Sequence, residues 1–161
     1  MCRLLLCLVV VACGGSSAEP ATVVSSQPTA APARVLVNVD AQGIGLGGND
    51  PIAYATDGAV AGVNEFESSY GGARYRFATQ AHKAAFDADA WKRAPAYGGY
   101  CAYAASQNRL SPSDPEVFLI LDGTLLVFTN REYLTLFEQD RAGNKLKADK
   151  NWLTLVTKFG T

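Results

Sequence analysis

Beyond residue 34 the chain alternates short apolar runs with glycine and polar breaks. "VLVNV" (35–39) is β-branched and apolar, and predicts a first strand. "GIGLGGNDP" follows, with Asp50-Pro51 at the positions of a helix N-cap and first helical residue. "EFESSY" and "ARYRFAT" flank Gly71-Gly72, a strong hairpin signal. Tyr75 and Phe77, two residues apart, fall on one face of the second strand, as Phe66 and Tyr70 do on the first. Thr79 stands as an N-cap before "QAHKAAFDADAW", whose apolar stripe is Ala81, Ala85 and Phe86, with His82 beside it.

"APAYGGYCAYAASQ" is rich in small residues, and Tyr100 to Ala105 predicts a short helix or a close-packed turn. "EVFLIL" and "TLLVFT" flank Asp122-Gly123; their near-continuous apolarity predicts a hairpin at the centre of a sheet. Asn130 caps "REYLTLFEQD", and Asp149 is read as the cap of "KNWLTLVTKF", with Trp152, Leu155, Val156 and Phe159 as its docking stripe. The expectation is an α+β domain with a small antiparallel or mixed sheet of about five strands and four or five short helices packed on it.

The first residues set the compartment. "MCRLLLCLVVVACGG" carries Arg3, an apolar run from Leu4 to Val11, then Ala12-Cys13-Gly14. That is the layout of an export signal, too short for a bilayer span of about 20 residues. "VVAC" resembles the bacterial lipobox, in which the cysteine is acylated and becomes the new N-terminus. The expected organisation is a lipoprotein signal peptide (1–12), a lipid-anchored linker of Ser, Ala, Pro and Thr (13–34), and one domain (35–161), with the lipid (palmitate) at Cys13. An ordinary secretory signal cut elsewhere, near Ala18, is the alternative. The expected location is the bacterial cell envelope, facing the periplasm or exterior, with the membrane as partner.

Cleavage there leaves Cys101 as the domain's one cysteine, so no intramolecular disulfide is expected despite export. Charge is nearly balanced, 14 Lys and Arg against 15 Asp and Glu, without a basic stripe for nucleic acid. Gly43, Gly45 and Gly48 formally satisfy G-x-G-x-x-G, but the chain lacks the repeated strand–helix–strand units of a dinucleotide fold, which leaves a glycine-rich turn as the reading.

Several of these blocks together resemble a known family. Tyr75-x-Phe77-x-Thr79-x-x-His82-x-x-x-Phe86 is similar to the YHS-domain signature, with threonine where the serine usually stands. "GGNDPIAY", "YGGARYRFAT", "YGGYCAYAAS", "DPEVFLILDGTLLV" and "ADKNW" resemble the frame of bacterial YHS-domain proteins. The resemblance implies a small α+β module, a type often associated with heavy-metal transporters and oxygenases. The metal-associated members carry cysteines where this chain has Ala53 and Ala78, so the default copper or zinc ligands are missing here.

The remaining soft ligands are His82 and Cys101, with carboxylates such as Asp50 for harder ions. Each has a plainer reading: Cys101 as a packed small hydrophobe, His82 as a polar residue at a helix edge. A reactive thiol at Cys101 would require electropositive, partly exposed surroundings. Hydrolysis finds little support, because no serine sits in a G-x-S-x-G elbow, and Glu65 and Glu67 read as the solvated side of a hairpin. The expected function is therefore a non-enzymatic, membrane-anchored YHS-type domain without a required cofactor. It would bind a small ligand or protein partner through a cleft around "DPIAY" and "GGYCAY", with Tyr54, Tyr100 and Tyr103 as candidate lining. The alternative is a metal-binding or chaperone protein for copper or another heavy metal, using Cys101 and His82.

Overall fold

The computed structural model describes residues 34–161. The expected signal, the lipidation site Cys13 and all of the expected linker except Arg34 lie outside them. Strands β1 (Val63–Tyr70) and β2 (Ala73–Phe77) form one antiparallel hairpin. Helices α1 (Gln80–Ala88), α2 (Ala90–Arg93) and α3 (Ala102–Ser106) follow. A second antiparallel hairpin, β3 (Asp114–Leu121) and β4 (Thr124–Phe128), leads into α4 (Arg131–Glu138) and α5 (Arg141–Phe159).

The class is α+β, but the strands number four among the described residues and belong to two separate two-stranded sheets. The expected strand at 35–39 is the missing fifth. Its backbone groups bond elsewhere: Val35 exchanges hydrogen bonds with Thr161, Asn38 N–H donates to the Gly98 carbonyl, and Val39 makes a single bridge to Gly45. A β-branched run here finds separate backbone partners at Thr161, Gly98 and Gly45 rather than one strand beside it to build a ladder.

The turn chemistry behaves as read. Gly71 and Gly72 both take positive φ (57° and 83°), the backbone that a tight antiparallel turn requires and that glycine adopts freely. Thr79 accepts from the His82 backbone N–H, and Asn130 from that of Tyr133, so both caps stand. Asp149 is different. The last helix begins eight residues earlier, at Arg141, where the Asp140 side chain accepts from Gly143 N–H. Asp149 lies inside it, paired with Lys145 at 2.8 Å and accepting from the Tyr97 hydroxyl at 2.9 Å.

The apolar second hairpin is not the centre of one sheet; it is a wall between two cores. Leu126 and Phe128 of β4, with Val117, Leu119 and Leu121 of β3, face a cluster that includes Phe137, Ala148 and Leu155. The alternate residues Leu125, Val127, Phe118 and Ile120 face a second cluster with Tyr54, Tyr75, Phe77 and Phe86. Period-two alternation between two buried faces leaves no polar position, which accounts for the continuous hydrophobicity.

α1 also differs from its expected face. Ala81 and Ala85 are exposed, whereas Phe86 is buried and His82, one turn before it, turns inward. On α5, Leu155 and Trp152 pack on the first cluster as expected, Val156 is half-buried outside both clusters, and Phe159 remains 47% exposed.

Candidate functional site

Asp50 is the first unusual residue: a carboxylate with no solvent exposure. Its Oδ1 accepts from the backbone N–H groups of Ile52 (2.8 Å) and Ala53 (3.4 Å). Its Oδ2 accepts from Ala78 N–H (2.8 Å) and lies 2.6 Å from His82 Nδ1. Three backbone donors already point at the carboxylate, which makes it the acceptor and places the ring hydrogen on His82 Nδ1. A buried carboxylate is tolerated only when its oxygens are hydrogen-bonded, and donors from Ile52, Ala53, Ala78 and His82 meet this one.

Asp50 therefore does more than open a helix. The residues after it form only a 3-10 turn, Ala53–Ala55, and its side chain also ties that turn to the junction of β2 and α1. The other ring nitrogen, Nε2 of His82, has no partner among the described residues. No described buried side-chain nitrogen or oxygen is left unpaired, so Nε2 reaches solvent as a hydrogen-bond acceptor or ligand atom.

Cys101 occupies different surroundings. It is fully buried at the start of α3, its N–H donates to the Ser111 carbonyl, and it packs among Ala102, Ala105, Leu126 and Phe128 in the first cluster. No hydrogen bond links it to His82, and no three His, Cys, Asp or Glu side chains converge into a metal-holding group among the described residues. Cys101→Ala is expected to destabilise the domain by about 1–2 kcal/mol through a small cavity. The native thiol should resist alkylation until the domain unfolds; rapid labelling of folded protein would contradict its burial.

The three tyrosines suggested as a cleft do not form one. Tyr54 belongs to the second cluster, its ring edge-on to Phe118 at 4.8 Å and its hydroxyl donating to the Pro115 carbonyl. Tyr100 leans on Trp152 and donates to the Val37 carbonyl, and Tyr103 packs on Tyr133. All three serve packing.

An open groove of about 670 Å³ lies elsewhere. It is lined by segments far apart in sequence: Arg34–Val37, the run from Trp91 to Gly98, the turn at Asp122–Thr124, and the Trp152 and Val156 face of α5. Tyr70 and Tyr75 of the first hairpin complete it. Gly98 makes this assembly possible. Its φ is +55°, and a Cβ there would sit 2.1 Å from the Leu36 carbonyl oxygen, so only glycine lets the 36–38 segment lie against the 97–99 turn.

The groove is aromatic with a basic rim. Tyr97 and Trp152 meet edge to face at 5.8 Å, and Trp91 is 69% exposed. Arg34 is engaged, donating to the Thr157 and Gly160 carbonyls. Lys92 pairs with Asp89 and sits 4.8 Å over the Trp91 ring. Arg93 is exposed and has no ion pair or side-chain hydrogen bond among the described residues. Sequence reasoning missed this surface; the available signal was Trp91-Lys92-Arg93, an aromatic residue beside two cations on a helix too short to bury them.

No protein-family model, curated protein or solved structure matches this chain.

Proposed function

We propose that the chain is a non-enzymatic, YHS-type binding module held on the bacterial cell envelope by a lipid at Cys13, and that it takes a small ligand in the groove beside Trp91 and Trp152. The groove carries this reading. Its volume falls in the range of small-molecule sites, roughly 300–1,000 Å³, and its walls combine aromatic faces with a few polar groups.

The chain's two tryptophans both line the groove, so its own fluorescence reports occupancy. A small molecule that raises the melting temperature should also change tryptophan emission; stabilisation with both tryptophans unaffected would put the binding site elsewhere. Membrane attachment has a separate test. Wild-type protein should fractionate with membranes, and Cys13→Ser should release it, because multiple acyl chains anchor stably while the described helices include none able to span. Retention of Cys13→Ser in the membrane fraction would contradict the tether.

One observation favours the rival, copper or heavy-metal binding: the solvent-facing Nε2 of His82. Cys101, its intended partner, is fully buried in the alanine-rich junction, and a soft two-ligand site would require that junction to open.

A further inference from the structure

We infer that the groove's ligand is an amphipathic anion, a planar apolar body bearing one carboxylate or phosphate, with Arg93 as its counter-charge. The inference rests on the groove reading above and adds the chemistry of the occupant.

Three cationic side chains, Arg34, Lys92 and Arg93, line the groove against one acid, Asp122, among the described residues. Their availability differs. Arg34 already donates to two carbonyls at the end of α5, and Lys92 is shared between Asp89 and the face of Trp91. Arg93 retains its full fork of donors, and a guanidinium matches a carboxylate or phosphate with two parallel hydrogen bonds. Beside it, Trp91 offers an exposed ring, and the Tyr97–Trp152 pair supplies an aromatic surface. Flat apolar bodies gain most from such walls.

A polyanion is a poor fit. Asp122, which also lines the groove, would repel a second negative group, and Arg93 is one unshared cation rather than a stripe. A neutral apolar molecule would make no use of the Arg93 donors. A single anionic head on an apolar body satisfies both the rim and the walls.

The probes are naphthalene-1-acetate and its neutral amide, which share a ring and differ in charge, titrated into the full chain by calorimetry. The acid should bind roughly tenfold tighter than the amide. Arg93→Gln should reduce the acid to the amide's affinity, and Arg93→Lys should keep part of the preference. Arg93 is exposed, so neither variant threatens the fold. Raising ionic strength should weaken the acid and spare the amide.

Equal binding of acid and amide with altered tryptophan emission would overturn the anion and leave the groove reading standing. No saturable binding of either would overturn both. Protection of Trp91 that follows protein concentration rather than added acid would mark a second copy of the chain as occupant and overturn the inference as well.

Discussion

Asp50→Ala is expected to destabilise the domain by about 3–5 kcal/mol, a large fraction of a small domain's total stability. The substitution leaves the N–H groups of Ile52 and Ala78, and His82 Nδ1, without the acceptor they share, while Ala53 N–H keeps the Asp50 backbone carbonyl at 3.2 Å. A buried donor left unpaired bears its whole desolvation cost, so the effect greatly exceeds the net worth of any one bond. Asparagine is a poor substitute. Its amide NH₂ would face Ala78 N–H or His82 Nδ1–H, donor against donor, so Asp50→Asn should recover little. His82→Ala should cost only about 1–2 kcal/mol, because Oδ2 keeps the Ala78 N–H. Urea unfolding of the three variants tests the ranking; equal, small losses at Asp50 and His82 would show that the carboxylate does not organise the segment.

The second large effect is alkaline. Burial pushes the hydroxyls of Tyr54, Tyr75 and Tyr97 well above the ordinary tyrosine value. Nearby Glu116 and Asp114 add to the shift at Tyr54, the Tyr70 charge at Tyr75, and the Asp149 hydrogen bond and charge at Tyr97. In the unfolded chain these groups titrate near pH 10. Above that pH the unfolded state releases protons that the folded state retains, so stability falls as pH rises. Below it both states are protonated and these groups add no slope.

Each tyrosine contributes about 1.4 kcal/mol per pH unit, and the three together about 4 kcal/mol per unit. The domain should unfold cooperatively above pH 10, with phenolate absorbance from these three of its seven tyrosines appearing only with unfolding. Tyr75→Phe should flatten the slope by about a third. Independent titration of all seven tyrosines near pH 10 with the fold intact would contradict their burial.

Local chemistry was readable from the residues. Gly71-Gly72 and Asp122-Gly123, residue types that tolerate the positive φ of a tight turn, mark both hairpins. Side chains three residues ahead of a free N–H mark the caps at Thr79 and Asn130. What failed depended on partners remote in sequence. Residues 35–39 have strand composition, yet their bonding groups meet Thr161 and the Gly98 turn, so no ladder forms. Periodicity placed the α1 stripe on Ala81 and Ala85, because a hydrophobic pattern cannot register that a buried carboxylate 32 residues earlier draws His82 inward.

Asp50, His82 and Cys101, read from the sequence as candidate ligands, fall into separate arrangements. Asp50 and His82 form a hydrogen-bonded clasp; Cys101 fills a junction in another cluster. The groove was the least readable feature. Its lining comes from four stretches and the first hairpin, and only the close approach at Gly98 brings the 34–37 segment onto it.

Native mass spectrometry of the full chain released gently from bacterial envelopes tests the binding role most directly, comparing wild type with Trp91→Ala. Because Trp91 is exposed, the variant should fold normally while losing part of the groove wall. The expected result is a small organic molecule that co-purifies with wild type, perturbs tryptophan emission, and is depleted in the variant. A bound metal ion or protein partner retained equally by both, with tryptophan emission unchanged, would contradict it.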